Sequence, residues 1–396
     1  KPWANKRIVI GSSSPDAKIP ALDVITETGT AITSHNPDES ELAILLYTGG
    51  TTGRSKGVQL THRNVCSNGY QVINAMNIVK EDIYLHVAPQ FHAADLLGSG
   101  FTMNGSAHAY VPIFSPKAVL QAIQDYKVTQ AMMAPTMIIM ILEEPTFDNY
   151  DISSYRNLFY GSSPMAAEWV EKAIQRFTNA GVQQGYGLTE TSPILTTFDA
   201  DDHRHAMETG NTDILRAAGR PLIGIDLKIL NDNDTELPTG ETGEVCVRGP
   251  NVTPGYLNRP DENKKAFKNG WFHTGDVGKV DENGILFLMD RKKDMIVSGG
   301  ENIYTSEVEA ALYKHPDVFE CAVIGVPDYK YGETLLAVIV PVAGKNLEKE
   351  TIIEHCRELI AGFKIPRKID FVAELPKSAM SKILKNELRK IYSKNP

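Results

Sequence analysis

Short apolar runs alternate with longer stretches of helical spacing over the first half of the chain. Residues 41–46, ELAILL, read as a short buried strand, 64–76 as a helix and 82–88 as an alternating strand. Residues 107–112 are apolar, 115–126 have helical spacing with Pro116 in the first turn, and 128–134 and 158–160 read as strands. An amphipathic helix at 165–177 leads to a strand at 182–184. A strand at 7–10, RIVI, precedes all of these. This β-α-β rhythm predicts a parallel sheet covered by helices, an α/β fold. The texture changes after Gly210. Short strands at 226–230, 243–248 and 285–289, separated by turn signals such as Pro238-Thr239-Gly240 and Asn283-Gly284, predict a small β-barrel-like subdomain. Beyond residue 290, helices at 306–315 and 347–360 and strands at 318–325, 335–341 and 368–372 make a compact α+β unit. Two domains are expected, 1–290 and 291–396.

Composition narrows this picture. A chain of 396 residues, 42% hydrophobic, has the material for two or more domains. Its net charge of −9 argues against nucleic-acid binding by a basic surface. The charge is uneven, −11 over 1–290 and +2 over 291–396, so the C-terminal part is suited to close over an anionic ligand. Four scattered cysteines offer no metal or disulfide spacing, which fits a reducing cytoplasm. The longest apolar stretch, 131–142, contains Pro135 and is too short to span a bilayer, so no transmembrane segment is expected. No signal peptide is evident, and a chain opening at Lys1 without Met does not start at a native translation start. A homodimer is left open.

The strongest chemical signal is YTGGTTGRSKGV at 47–58. Gly49, Gly50 and Gly53 allow close backbone approach to a ligand, Thr48, Thr51 and Thr52 add hydroxyls, and Lys56 adds a flexible positive charge. Successive N–H groups in such a loop form an anion-binding concavity, and a polyphosphate suits it. The spacing is not that of a Walker A loop, because Lys56 follows Gly53 by three and precedes Gly57. GYGLTETSP at 185–193 places an aromatic on a turn and a carboxylate, Glu190, where a hard cation shared with phosphates would want oxygen. In WFHTGD, 271–276, Asp276 can accept from two hydroxyls. SGGENIYTSEVE, 298–309, has two glycines and then a helix with Ser306 as its expected cap and Glu309 three residues on. PKSAMSKILK, 376–385, is basic.

In this order and spacing, these segments resemble the adenylate-forming superfamily, which includes acyl-CoA synthetases, 4-coumarate-CoA ligases, firefly luciferase and peptide-synthetase adenylation domains. The likeness is greatest to a fatty-acyl-CoA ligase lacking its N-terminal segment. It implies a large N-terminal domain that binds ATP and the acyl group, and a small mobile C-terminal domain hinged at 291–293 on Lys293. It implies that the loop from Thr48 to Lys56 and Thr189 contact phosphate. Glu190 serves Mg²⁺, and Gly185, Tyr186 and Gly187 carry the aromatic that stacks on adenine. Gly161, Ser162, Ser163 and Pro164 line the other face of that ring. Asp276 and Arg291 reach the ribose, and Lys382 is the active lysine. His92 gates the acyl pocket, and Ser298, Gly299, Gly300 and Glu301 move to line the tunnel for the CoA thiol. Two family positions differ: Ser55 stands for a Pro and Ser381 for a Gly. Amino-acid-activating relatives carry Asp after the Phe that matches Phe91, and His92 stands there instead, so an acid without an α-ammonium is expected.

The implied reaction joins a carboxylic acid to CoA through acyl-AMP, with ATP, Mg²⁺ and CoA as cofactors, and releases AMP and pyrophosphate. Small residues at 93–100 lean the expectation toward a medium- or long-chain fatty acid, while Asp95 stands near enough to touch a polar substrate group. An aryl-CoA ligase, a carrier-loading ligase, a luciferase-like oxidase and a non-catalytic nucleotide-binding fragment stay open.

Overall fold

The computed structural model describes residues 36–48, 55–163, 165–377 and 383–392. The expected strand at 7–10, and Gly49, Gly50, Thr51, Thr52, Gly53, Pro164 and Lys382, lie outside these residues. Strands β1 (Leu42–Thr48) and β2 (Lys56–Thr61) pair antiparallel, with Thr48 opposite Lys56. Helix α1 (His62–Ala75) follows at once. The Thr61 hydroxyl accepts from the Asn64 N–H while the Asn64 side chain accepts from the Thr61 N–H, a reciprocal cap. The expectation of a buried strand at 41–46 is not met. Leu42 is 51% and Tyr47 66% exposed, because β1 is the outer strand of a small antiparallel sheet and not part of the parallel one.

The parallel sheet begins at β3 (Ile83–His86). It continues through α2 (Gly98–Asn104), β4 (Ala107–Tyr110), α3 (Pro116–Tyr126), β5 (Gln130–Met133), α4 (Pro135–Leu142), β6 (Asn157–Gly161), α5 (Ala167–Arg176) and β7 (Gly181–Tyr186). Then come β8 (Thr196–Phe198), α6 (Ala200–Thr209) and β9 (Arg220–Pro221). The order is β4-β3-β5-β6-β7-β8-β9, parallel through β7 and antiparallel beyond it. Alternation along the strands splits the interior into two cores. Leu85, Ala131, Met133, Leu158 and Tyr160 pack with Val119, Ile123, Ile138 and Val170 of the helices on one face. Tyr84, Met132 and Phe159 pack with Val72 of α1 and Phe101 of α2 on the other.

The small residues at 93–100 are partly consumed by this packing. A Cβ on Gly98 would lie 2.7 Å from His86 Cε1, and one on Gly100 would lie 3.2 Å from the Gly69 carbonyl oxygen of α1. They let α2 sit close to β3 and α1.

Strands β10 (Asp226–Leu230), β11 (Gly243–Arg248), β12 (Gly255–Tyr256), helix α7 (Pro260–Ala266), β13 (Phe267–Lys268), β14 (Trp271–Val280) and β15 (Leu286–Arg291) form the β-rich subdomain. Five of these strands make an antiparallel sheet, and β12 instead joins β2, with Tyr256 opposite Val58. The C-terminal unit contains β16 (Ile296–Ser298), β17 (Glu301–Ile303), α8 (Thr305–Tyr313), β18 (Val318–Asp328), β19 (Gly332–Pro341), α9 (Lys349–Leu359), β20 (Lys368–Phe371) and α10 (Lys385–Tyr392). Alternation in β18 and β19 again makes two cores, one with Val308 and Ile352 from α8 and α9 and one with Leu388 from α10.

The expected cap of the helix at 306–315 is replaced. Ser306 Oγ donates to the Met289 carbonyl, and Glu309 accepts from the Val323 N–H at 2.7 Å. Asp290, on β15, takes over the helix start: its Oδ2 accepts from the Thr305 N–H and, at 2.7 Å, from the Thr305 hydroxyl. A carboxylate from another strand outcompetes the local serine because it brings charge to the orphan donors of the first turn.

Candidate active site

Ligands of open parallel sheets bind beyond the carboxyl ends of the strands. Here β6 and β7 end side by side, with Gly161 in register with Gly185. A Cβ on Gly185 would lie 2.3 Å from the Phe159 ring, and one on Gly187 would lie 1.9 Å from the Pro193 carbonyl oxygen. Close packing therefore requires glycine on both sides of Tyr186. Ser162, just past β6, has φ 71°, a left-handed backbone that costs energy outside glycine and concentrates at functional sites.

Tyr186 reaches from the end of β7 to the subdomain sheet. Its hydroxyl donates to Asp276 Oδ2 at 2.7 Å. Across the β14–β15 ladder, Arg291 stands opposite Asp276, and its Nε lies 2.8 Å from Oδ1. Asp276 is buried, and burial raises its carboxyl above the ordinary aspartate value against the pull of Arg291. Burial, then the Asp276 charge, pushes the Tyr186 phenol well up, so it stays a donor. Each Asp276 oxygen has one donor and keeps a further lone pair, enough to accept from a sugar diol.

Glu190 lies in a single 3₁₀ turn, Thr189–Thr191, and is buried. The Tyr256 hydroxyl donates to its Oε1 at 2.8 Å, and the Thr253 N–H donates to its backbone carbonyl. Lys56 Nζ sits 4.7 Å above the centroid of the Tyr256 ring. Burial, then Glu190, pushes the Tyr256 phenol up. Tyr256 thus ties β2 to the Glu190 carboxylate, and sequence reasoning missed it. The dipeptide Gly255-Tyr256 carries no chemical signal until strand pairing places it beside β2. A buried carboxylate that keeps oxygen lone pairs free fits a hard cation such as Mg²⁺.

The model of the AMP-binding enzyme family matches residues 3–257, and that of the AMP-binding enzyme C-terminal domain matches 307–382. A feruloyl-CoA synthase of Amycolatopsis sp. is 38% identical over 354 residues, 89% of this chain and 70% of the relative. The chain belongs to the AMP-binding enzyme family. A long-chain-fatty-acid–CoA ligase of Bacillus subtilis is 37% identical, over 90% of this chain and 63% of that protein. The solved structure of o-succinylbenzoate coenzyme A synthetase from Bacillus subtilis, in complex with ATP and magnesium ion, superposes with TM-score 0.83 at 31% identity, over 98% of this chain and 80% of that one. Both of these curated relatives are named as acid–thiol ligases.

The remaining residues expected in this AMP-binding enzyme fall into three groups. His92 caps the 3₁₀ helix Ala93–Leu97, its Nδ1 accepting from the Ala94 N–H at 3.1 Å. Lys293 is exposed, in a turn closed by the N–H groups of Lys292, Asp294 and Met295, and desolvation by its surroundings, with Arg291 beside it, lowers its ammonium below the usual lysine value against the pull of Asp294. Ser298, Gly299, Gly300 and Glu301 form the β16–β17 turn, where the Gly299 N–H donates to the Tyr331 carbonyl at 2.9 Å. The structure thus joins Tyr186 to Asp276 and Arg291, and Lys56 to Tyr256 and Glu190, and sets the 298–301 turn on the C-terminal sheet. One further grouping, Glu244, Cys246 and His273, has metal-ligand residue types. Lys292 already lies 3.3 Å from Glu244, and burial pushes the Cys246 thiol up to about 12, so these side chains pack β11 on β14 as protein partners.

Proposed function

We propose that this protein is an ATP-dependent acyl-CoA ligase that makes acyl-AMP from a carboxylic acid and passes the acyl group to CoA. Its parts are a large domain, 1–290, and a small one, 291–396, hinged at Lys293. The carboxylate oxygen attacks the α-phosphorus of ATP, and the bond to pyrophosphate breaks. The CoA sulfur then attacks the acyl carbon, and AMP leaves. Neither step needs a side-chain nucleophile. The protein's work is to orient two anions and to meet charge developing on phosphorus.

The observation that carries this reading is the buried Asp276, held by Tyr186 and Arg291 at the carboxyl end of β7. In this proposal Tyr186 lies against adenine beside Gly185, Gly187 and the segment Gly161, Ser162, Ser163 and Pro164, while Asp276 and Arg291 hold the ribose hydroxyls. Thr48, Gly49, Gly50, Thr51, Thr52, Gly53, Lys56 and Thr189 take the phosphates. Glu190 would hold Mg²⁺, which when bound supplies positive charge to the phosphate oxygens. Lys382 approaches the reacting oxygens in the first step, and His92 borders the acyl carboxylate. Rotation about Lys293 then presents Ser298, Gly299, Gly300 and Glu301 to the CoA thiol.

The acid proposed from the sequence is a medium- or long-chain fatty acid. An aromatic acid is a second reading, favoured by the packing of Gly98 and Gly100 against His86 and α1. Four free cysteines favour a reducing cytoplasm. ATP–pyrophosphate exchange over octanoate, palmitate, benzoate and 4-coumarate tests both readings. Acid-dependent exchange is expected. Nucleotide binding without exchange for any acid would leave only a nucleotide-binding fragment.

A further inference from the structure

Glu190 sits in a turn that its own bonds hold poorly. The turn is three residues of 3₁₀ helix, Thr189–Thr191, and hydrogen bonds of that helix have poor geometry. The Thr191 N–H donates to the Leu188 carbonyl at 3.0 Å, and the Ser192 N–H reaches the Thr189 carbonyl only at 3.4 Å. The Thr191 hydroxyl accepts from the Leu188 N–H at 3.0 Å, at the entry to the turn. At the exit, Ser192 has φ 64°, a left-handed backbone that favours glycine. A carboxylate that serves a hard cation needs its oxygens in a fixed place. The exit of this turn is therefore held from outside.

Asn251, on the loop between β11 and β12, supplies that hold, and it is wholly buried. Its Nδ2 donates to the Thr191 carbonyl at 2.7 Å and to the Ile194 carbonyl at 3.1 Å. Its backbone carbonyl accepts from the Ser192 hydroxyl at 2.9 Å. Two residues on, the Thr253 N–H donates to the Glu190 carbonyl at 2.8 Å. Asn251 is itself pinned from α1. Asn64 Nδ2 donates to the Pro250 carbonyl at 2.8 Å and to the Val252 carbonyl at 2.9 Å, one on each side of it. Asn68, one turn further along α1, donates to the Ile194 carbonyl at 2.9 Å and accepts from the Ile194 N–H at 3.3 Å. A continuous line of bonds runs from α1 through Asn251 to the turn that carries Glu190.

The other end of the same amide is unsatisfied. Among the described residues no donor reaches Asn251 Oδ1, although the atom is buried. Turning the amide over would set this oxygen against the Thr191 and Ile194 carbonyls, so the two acceptors fix its orientation. A Cβ on residue 249 would lie 2.9 Å from Oδ1, and Gly249 makes room for it. A buried amide oxygen without a donor costs stability, and an apolar side chain of similar shape would remove that cost. Such a side chain could not donate to Thr191. The unfavourable oxygen is thus carried along with the two N–H groups that hold the turn.

We infer that Asn251 is a positioning residue for the cation and phosphate site: its amide fixes the exit of the Thr189–Thr191 turn and so aims the Glu190 carboxylate. Asn251 acts through backbone carbonyls and the Ser192 hydroxyl, while the Tyr256 hydroxyl holds the carboxylate itself at Oε1. The inference rests on Glu190 as the Mg²⁺ ligand of the proposed acyl-CoA ligase. Nothing in GPNVTPGY, 249–256, marks Asn251 in the sequence, because the carbonyls it holds lie 60 and 57 residues earlier.

The test uses the full chain, Mn²⁺ as the probe cation and a non-hydrolysable ATP analogue. Electron paramagnetic resonance gives the Kd for Mn²⁺ in the ternary complex, and calorimetry gives the Kd for AMP without a cation. Asn251→Leu, close in shape, should raise the Mn²⁺ Kd on the order of tenfold or more, the usual effect of losing a partner behind a metal ligand. The Kd for AMP should stay within about twofold, because Tyr186, Asp276 and Arg291 lie outside this line of bonds. In a Glu190→Gln background the same substitution should change the Mn²⁺ Kd by less than about twofold, which a general loosening of the fold would not give. Ser192→Ala removes one bond of the set and should shift the Mn²⁺ Kd in the same direction by less; it decides the matter if Asn251→Leu does not fold. An unchanged Mn²⁺ Kd in the folded variant, an equal loss of AMP affinity, an effect that persists without Glu190, or no Mn²⁺ in the wild-type complex would overturn the inference. Acid-dependent ATP–pyrophosphate exchange with a Mn²⁺ site indifferent to Asn251 would sink this role and spare the ligase reading. An Asn251-dependent Mn²⁺ site without exchange for any acid would do the reverse.

Discussion

Asp276 shows how a residue legible in the sequence acquires its energetics only in the fold. Its carboxylate can be singled out as a diol acceptor from WFHTGD, but not its burial or the Tyr186 and Arg291 bonds on either oxygen. Alanine there would strand both partners, so Asp276→Asn is the cleaner probe. Losing a charge-assisted acceptor costs about 1.5–3 kcal/mol, and the Kd for ATP should rise on the order of ten- to a hundredfold at unchanged thermal midpoint. Unaltered ATP affinity in calorimetry would make Asp276 a packing residue only. Tyr256 is the opposite case, invisible until β12 pairs with β2. Tyr256→Phe removes the hydrogen bond to Glu190 Oε1 and should raise the Mg²⁺ concentration for half-maximal exchange several-fold, with Glu190→Gln raising it further. Superimposable Mg²⁺ titrations of the wild type and both variants would remove Glu190 from the metal site.

Most elements were legible because strand alternation and helical spacing are local properties. What escaped is what distant partners decide. The run at 41–46 has the composition of a buried strand, yet forms the outer strand of a hairpin. Ser306 has the local credentials of a cap, yet Asp290 holds the helix start. That contact also ties the strand before Lys293 to the helix after it. Lys385 extends the tie, donating to the Thr305 hydroxyl at 2.6 Å and pairing with Glu309 at 2.8 Å. Rotation about Lys293 would have to keep or break this set. Lys382→Ala should slow adenylation on the order of a hundredfold, as loss of one charge-stabilising group does, and spare thioester formation from supplied acyl-AMP. Lys293→Pro should do the reverse, because it fixes φ while removing none of the N–H bonds that close the turn. Single-turnover assays of each half-reaction decide this, and equal loss of both steps in both variants would mean one static site.

At the scale of the molecule, the far end of the sheet keeps the strand ends in place. Asp82, 1% exposed, accepts from Thr129 Oγ1 at 2.7 Å, Gln130 Nε2 at 3.0 Å and Arg156 Nε at 2.8 Å, and so clamps the starts of β3, β5 and β6 together. Burial opposes its charge, but Arg156 and the other donors win and hold its carboxyl below the usual range. A depressed carboxyl stabilises the fold above the unfolded value near pH 4, and that contribution fades as pH falls through the folded value. Asp82→Asn should cost about 3 kcal/mol in urea unfolding at pH 7, and the gap to wild type should narrow by pH 3. A gap independent of pH would mean the charge is not what Asp82 contributes.

The central claim is that a carboxylate oxygen of the substrate becomes bonded to the α-phosphorus of ATP at this site. Incubation of the protein with ATP, Mg²⁺, CoA and a substrate acid labelled with ¹⁸O in its carboxyl group, followed by mass spectrometry of the nucleotide, tests this directly. The account predicts AMP carrying one ¹⁸O atom, acyl-CoA keeping the other in its thioester carbonyl, and unlabelled pyrophosphate. Unlabelled ADP with ¹⁸O in inorganic phosphate would mean attack at the γ-phosphorus and would contradict it.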